Sequence, residues 1–160
     1  LRAILNNSRE EEISLSDEIN TLKNYLELEQ KMSSAAFKYT FNTDTNNIDL
    51  EEILIPPMLI QPFIENCIKH GFKGRAKTGE ITINFNVKNN FIHCAVIDNG
   101  VGYNHALKTI NNHKSVALDI TKERIKNLSK YSNFNISEII ENKQINGTRV
   151  EFKIPLKTDY

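Results

Sequence analysis

The stretch Pro57-Met-Leu-Ile-Gln61-Pro62-Phe-Ile-Glu65-Asn66-Cys-Ile-Lys69-His70-Gly71 decides the fold. Ile60, Phe63, Ile64, Cys67 and Ile68 recur at the spacing of a helix with one buried face. Pro56-Pro57 is expected to introduce this helix, which the pattern carries to about His70. Pro62 should break or kink its first part, unless the regular turns begin only there. The polar positions are Gln61, Glu65, Asn66, Lys69 and His70, and the pairs 65/69 and 66/70 stand one turn apart. A carboxylate, an amide, an ammonium and an imidazole are therefore expected on one edge. By itself that edge describes a solvent-facing helix with an ion pair.

Downstream the periodicity changes from that of a helix to that of a strand. Ile81, Ile83, Phe85 and Val87 alternate with polar residues, and the apolar run Phe91 to Ile97 follows an Asn89-Asn90 turn, which predicts an antiparallel hairpin. Asp98-Asn-Gly100-Val-Gly102 comes directly after that buried strand. Its glycines permit tight turns and close approach of a ligand to the backbone, and a carboxylate fixed there could accept a bond from an exocyclic amine. A plain turn has the same composition. The polar stretch Asn104 to Lys114 reads equally as a mobile lid or a surface loop. A second helix is expected over about Ser115 to Tyr131, with Leu118, Ile125 and Leu128 on one side. A strand near Ile136 to Glu141, a turn at Asn146-Gly147 and a strand alternating Thr148, Val150, Phe152 and Ile154 close the chain. Gly147-Thr148 alone means little.

Upstream, Ser14-Leu-Ser-Asp17 has the form of a capping box and opens a long helix striped by Leu15, Ile19, Leu22 and Leu26. Residues 1–12 read as the tail of an earlier helix. The chain opens at Leu1 rather than Met, inside a helical pattern, and is expected to continue an upstream segment. A strand is expected at Phe37 to Asn42, followed by a turn at Asp44 to Asn47. The change of pattern after Ser33-Ser34 divides the chain into a helical lead-in, 1–34, and an α/β domain, 35–160.

Apolar residues make up 39% and charged residues 25% of the 160, a globular composition with room for one buried core. Lys and Arg number 20 and Asp and Glu number 20, so no basic field invites nucleic acid. No run approaches the roughly 18 apolar residues of a membrane helix, and the chain as given is expected to be soluble. Cys67 and Cys94 lie in apolar surroundings and are expected to be buried free thiols. His93, within a strand, is expected to be a core histidine, and no second ligand at metal spacing points to zinc.

On the helix edge the donors suit a phosphorylated ligand. The amide oxygen of Asn66 can ligate Mg²⁺, which keeps several waters and bridges phosphates. Glu65 could polarise an attacking group and Lys69 could neutralise phosphate charge.

The order of these pieces is more specific than any one of them. The 57–71 segment, then Asp98-Asn-Gly100-Val-Gly102, then Gly147-Thr148, resembles the ATP-binding (GHKL, or Bergerat) domain of gyrases, heat-shock chaperones, mismatch-repair proteins and histidine kinases. Gln-Pro-x-x-Glu-Asn-x-x-Lys-His-Gly is similar to the LytS/YehU type of sensor histidine kinase. Leu1-Arg2 and Leu15 to Glu29 resemble the end of that family's phosphoacceptor region.

The resemblance implies an α/β fold, a two-layer sandwich with a mixed sheet, and a nucleotide held between the Asn66 helix and a lid. It implies that Asn66 holds Mg²⁺, that Asp98 reads the adenine amine with help from Thr148, and that Gly100 and Gly102 shape the pocket. Glu65 is the implied base, with Lys69 and His70 beside it, although many relatives carry their glutamate one turn earlier, where Pro62 stands. Arg124 matches an Arg-Leu position and is a candidate phosphate contact.

Two departures stand out. Ser115-Val116-Ala117-Leu118 replaces a Gly-x-Gly-Leu lid motif, and the Pro-His-Phe motif of the phosphorylated histidine is absent from the 160 residues. The expected reaction is phosphoryl transfer from Mg·ATP to a histidine upstream of Leu1, in the same chain or a dimer partner. The phosphate then passes to a response regulator. The resemblance also implies a cytoplasmic domain of a membrane-bound homodimeric sensor. Two other readings stay open: a domain of this fold that has lost nucleotide affinity, and an ATPase or serine kinase of the same superfamily.

Overall fold

The computed structural model describes residues 11–33, 36–72, 78–102 and 112–160, with side chains in the last range from 118 onward. The lid expected over 104–114 lies outside these residues except for its last three, and the expected helix tail at 1–12 lies outside except for 11 and 12, which are not helical. The elements in chain order are β1 (Ile13–Ser14), α1 (Leu15–Met32), β2 (Phe37–Asp44), β3 (Leu54–Ile55) and α2 (Gln61–Asn66), which continues as a π-helical turn over Cys67–Gly71. Then come β4 (Gly79–Lys88), β5 (Phe91–Asp98), α3 (Asn112–Leu128), β6 (Asn133–Glu141) and β7 (Gln144–Pro155).

Five strands form one mixed sheet in the order β2-β4-β5-β7-β6, with β2 parallel to β4 and every other neighbour antiparallel. Strand alternation puts Ile81, Ile83, Phe85, Ile92, Cys94, Val96, Val150, Phe152 and Ile154 in the core, where they share one cluster with residues of all three helices. This is the expected two-layer sandwich. Leu15, Leu22 and Leu26 are fully buried in the same cluster, each worth about 1.5–3 kcal/mol relative to exposure. The Ser14 hydroxyl accepts the Asp17 N–H at 3.0 Å, so Ser14 caps the helix from the position the motif gave it. β1 pairs with β3, a two-stranded ladder that no alternation in the sequence announced.

Several boundaries differ from the reading. Pro56-Pro57 does not start a helix, because Met58 turns the chain with φ 65° and the first helical bonds run from Phe63 and Ile64 to the Ile60 carbonyl. Pro62 therefore falls in the first turn, where its missing N–H costs nothing. The second helix starts earlier and stops sooner than expected. Ser129 takes the Tyr131 N–H on its hydroxyl and turns the chain, leaving Leu128 39% exposed rather than in the core. The last hairpin turns at Asn142 and Lys143, both at positive φ, and Asn146-Gly147 lies within β7.

Glu18, on the inward side of α1, is 2% exposed. Burial raises its pKa, against the pull of the Met58 N–H bonded to it and of nearby Arg124. A carboxyl whose folded value is raised contributes stability fully below its ordinary value of 4.5, and loses it as the pH rises through the folded value. Glu18→Gln keeps an acceptor for Met58 and removes the titration. Urea unfolding at a series of pH values should show the wild type losing stability relative to the variant from pH 4.5 upward, with parallel curves at more acid pH.

Candidate functional site

The inward face of β5 ends in a carboxylate. Asp98 has the same strand parity as Ile92, Cys94 and Val96, so alternation carries its side chain under the helix layer, where it is 6% exposed. Ile81 of β4 and Thr148 of β7 stand opposite it in register, and Thr148 is buried too.

A buried carboxylate needs donors. The Gly100 N–H donates to Asp98 Oδ1 at 2.8 Å, a turn built by the aspartate on its own backbone two residues on. The Cys67 thiol donates to Asp98 Oδ2 at 3.1 Å from the π-helical turn above. The next loop residues are tied on both sides. Asn99 accepts the Glu80 N–H at 2.8 Å and donates to the Thr78 carbonyl at 3.1 Å, while the Val101 N–H donates to the Gly71 carbonyl at 2.8 Å. A methyl group on Gly100 would overlap that same carbonyl and lie 2.8 Å from Asp98 Oδ1, so backbone contact excludes a side chain there. Gly102 has φ 97°, and a methyl group on it would overlap Glu138.

Asn66 immediately precedes Cys67 at the end of α2, which brings it to the same place. A methyl group added to Gly71 would lie 3.7 Å from Asp98 Oδ1 and 3.9 Å from the Asn66 carbonyl. The amide-bearing helix and the glycine-flanked aspartate therefore meet at one point of the molecule. Glu65 is half-buried and accepts from Gln61 Nε2 at 3.2 Å, one turn earlier. His70 leaves the shared polar edge for the interior, while Lys69 stays exposed. Phe72 N–H donates to the Cys67 carbonyl five residues back, and this wider turn rotates the residues after Asn66, leaving Lys69 exposed and His70 buried.

Arg124 donates to the Pro57 carbonyl at 3.0 Å and lies near Glu18, which ties it to the chain entering α2. Tyr25 of α1 lies near enough to Glu65 and Cys67 to interact with them electrostatically. Burial, together with the carboxylates of Glu29 and Glu65, pushes its phenol pKa up. Cys67 is fully buried, and burial and the Asp98 charge push its thiol well up. It stays protonated and serves as a donor. Both cysteines are free, as read.

The donor and acceptor types gathered here are compatible with a phosphorylated ligand and a divalent ion. Asp98 supplies a preorganised, buried acceptor, and the glycine-bound loop allows close approach to backbone. Among the described residues no group of three His, Cys, Asp or Glu side chains gathers to hold a metal. An amide oxygen on Asn66, together with ligand phosphates and water, is the donor set of an ion such as Mg²⁺.

Two parts of this site are not legible as such in the sequence. Cys67 reads as a packing residue, its one signal being its place on the inward stripe just after Asn66. Gly147 reads as part of a turn, whereas it has φ 140° and passes against the Asp98 carbonyl.

No protein-family model matches the chain. The chain is 36% identical over 101 residues to the sensor protein LytS of Staphylococcus epidermidis, covering 63% of this chain and 17% of that protein. To the sensor protein LytS of Enterococcus faecalis it is 30% identical over 156 residues, covering 92% of this chain and 25% of that protein. The chain thus spans a quarter or less of these relatives. Among solved structures, the catalytic domain of histidine kinase ThkA superposes with a TM-score of 0.61 over 93% of this chain and 98% of that one, at 17% identity. The chain is a homologue of the LytS sensor proteins, and its fold is that of histidine kinase catalytic domains.

Proposed function

We propose that this chain is the ATP-binding catalytic portion of a LytS-type sensor histidine kinase, transferring the γ-phosphoryl group of Mg·ATP to a histidine outside residues 1–160. The acceptor would sit on the phosphoacceptor helix of the same chain or of a dimer partner, with residues 1–34 as the end of that region and 35–160 as the ATP-binding domain. A response regulator would receive the phosphate, and the whole protein would be a membrane-bound sensor with this part on the cytoplasmic side. Among the described residues no helix is long and apolar enough to cross a membrane.

One observation carries the reading: Asp98 is buried with both carboxylate oxygens held by donors, directly beneath the helix that ends in Asn66. Transfer of this kind rests on positioning and charge neutralisation, without need of a covalent intermediate. Asp98 accepts the adenine amine beside Thr148, and Gly100 and Gly102 admit the nucleotide to the backbone. Asn66 holds the ion, which supplies charge neutralisation across the phosphates. Glu65 is placed to polarise the attacking imidazole. Lys69, His70 and Arg124 are candidates for contact with phosphate or acceptor, Lys69 from solvent and Arg124 from beside Pro57.

Thermal unfolding with and without Mg·ATP tests the reading. A ligand at 100 times its Kd adds about 2.7 kcal/mol of stability. Asn66→Asp should leave binding of metal-free adenosine within about threefold and weaken Mg·ATP about tenfold or more, because the change alters charge only at the ion and phosphates. No shift with Mg·ATP at millimolar concentration would favour the reading in which the domain has lost nucleotide affinity.

A further inference from the structure

The feature left over from this reading is the sulfur. A buried cysteine on a helix stripe has no need of a polar partner, yet Cys67 Sγ lies 3.1 Å from Asp98 Oδ2, and the Gly100 N–H holds the other oxygen at 2.8 Å. The two donors come from different elements, one from the π-helical turn and one from the loop after β5. Together they fix both the position and the rotation of the carboxylate plane.

We propose that Cys67 is a positioning residue for purine recognition: its thiol holds Asp98 in the rotation that presents the carboxylate to a 6-amino group. The proposal rests on the reading of Asp98 as the adenine contact. The thiol is suited to the task, because it remains an S–H donor beside a carboxylate and, unlike Ser, Asn or Lys, its alternative partners are few in an apolar layer. The π-helical geometry supplies the approach. Phe72 N–H takes the Cys67 carbonyl, the Gly71 carbonyl is left to accept Val101, and the turn is thereby clamped to the loop that begins at Asp98. Sequence position, burial and hydrogen bonding thus converge on a helix that orients a strand residue through sulfur.

The role separates from packing by its ligand dependence. If Cys67 orients Asp98, its loss should weaken a ligand that carries the 6-amine and spare one that does not. If Cys67 only fills space, loss should affect both alike. The experiment is calorimetric titration of the 160-residue chain, as wild type, Cys67→Ser, Cys67→Ala and Cys67→Val, with ATP and with the purine riboside triphosphate that lacks the 6-amino group. Cys67→Ser, which keeps a donor, should bind ATP within about threefold of wild type. Cys67→Ala and Cys67→Val should bind ATP about tenfold more weakly and the 6-unsubstituted nucleotide within about twofold of wild type. Val is close to Cys in size and stands in should the Ala variant fail to fold. Equal losses for the two nucleotides, or undiminished ATP binding by both Ala and Val, would overturn the proposal while leaving the nucleotide site intact. Absence of ATP binding by the wild type would instead bring down the reading of Asp98, and the role of Cys67 with it.

Discussion

Asp98→Asn should lower adenine-nucleotide affinity by at least about 100-fold while the ligand-free chain stays folded. The carboxylate is an acceptor at both oxygens and is already committed to two protein donors, the Cys67 thiol and the Gly100 N–H. An amide of the same shape has one acceptor and one donor group. With its oxygen kept on the Gly100 N–H, which requires an acceptor, its NH₂ will face both the Cys67 side and the ligand. A purine amine arriving there meets a donor in place of an acceptor. Loss of a charge-assisted hydrogen bond removes about 1.5–3 kcal/mol, and burying two unsatisfied donors against each other costs about 1–3 kcal/mol more. The sum lies at about 2.5–6 kcal/mol, hence a loss of about 100-fold or more. The free chain loses the thiol contact and part of one charge-assisted bond, so its melting temperature should move by a few degrees. Titration calorimetry beside a thermal melt reads both. Undiminished ATP binding by Asp98→Asn would remove Asp98 from the site.

Gly147→Ala should be among the most destabilising single methyl additions in the chain, at about 3 kcal/mol, a large part of the 5–15 kcal/mol typical of a whole domain. Gly147 has φ 140°, a region that L side chains rarely adopt, and the added methyl group would overlap the Asp98 carbonyl oxygen and lie 2.8 Å from its carbon. The obstacle is backbone on a neighbouring central strand, and no rotamer change relieves it. Relief requires β7 to part from β5 where Thr148 pairs with Asp98, so the variant should also lose nucleotide binding. Gly71→Ala is the internal control. Its methyl group would sit in ordinary contact, 3.7 Å from Asp98 Oδ1, and should cost no more than about 1 kcal/mol. Urea unfolding of the two variants measures the contrast. Equal stability of Gly147→Ala and wild type would mean that β7 does not run past Asp98 as described.

Asp98 and Gly147 were legible in the sequence to different degrees. The place of Asp98 could be read from sequence, because it follows a nearly apolar strand and precedes Asn-Gly, although that composition also suits a plain turn and it is the resemblance that singles the carboxylate out. Gly147 could not, because Asn-Gly is the composition of a hairpin turn, and the competing turn at Asn142 and Lys143 uses residues with no such signature. The choice between them was made by the register of β6 and β7, with its irregularity between Glu138 and Ile140.

Short-range patterns determined the elements of this protein and their apolar sides. Alternation over 81–87, the nearly apolar run 91–97 and helical spacing over 15–26 and 60–68 mark what is to be buried, while the two-layer sandwich was implied by the resemblance. The Ser14 cap, the Asn89-Asn90 turn and the place of Asp98 at the end of a core strand arise from chemistry within a few residues. Only the tertiary structure decided the contacts between distant parts of the chain. The bond from Cys67 to Asp98, the clamp of Gly71 on Val101, the passage of Gly147 beside the Asp98 backbone and the seating of Arg124 on Pro57 each join elements whose approach no local pattern encodes. The π-helical turn belongs with them. Backbone preference favours the ordinary helical bond, and it is the docking of 67–71 against the loop after β5 that accompanies the wider turn and sends Lys69 outward and His70 inward. Local energetics choose an element and its buried face, whereas the partners waiting in the packed state choose which atom on that face becomes chemistry.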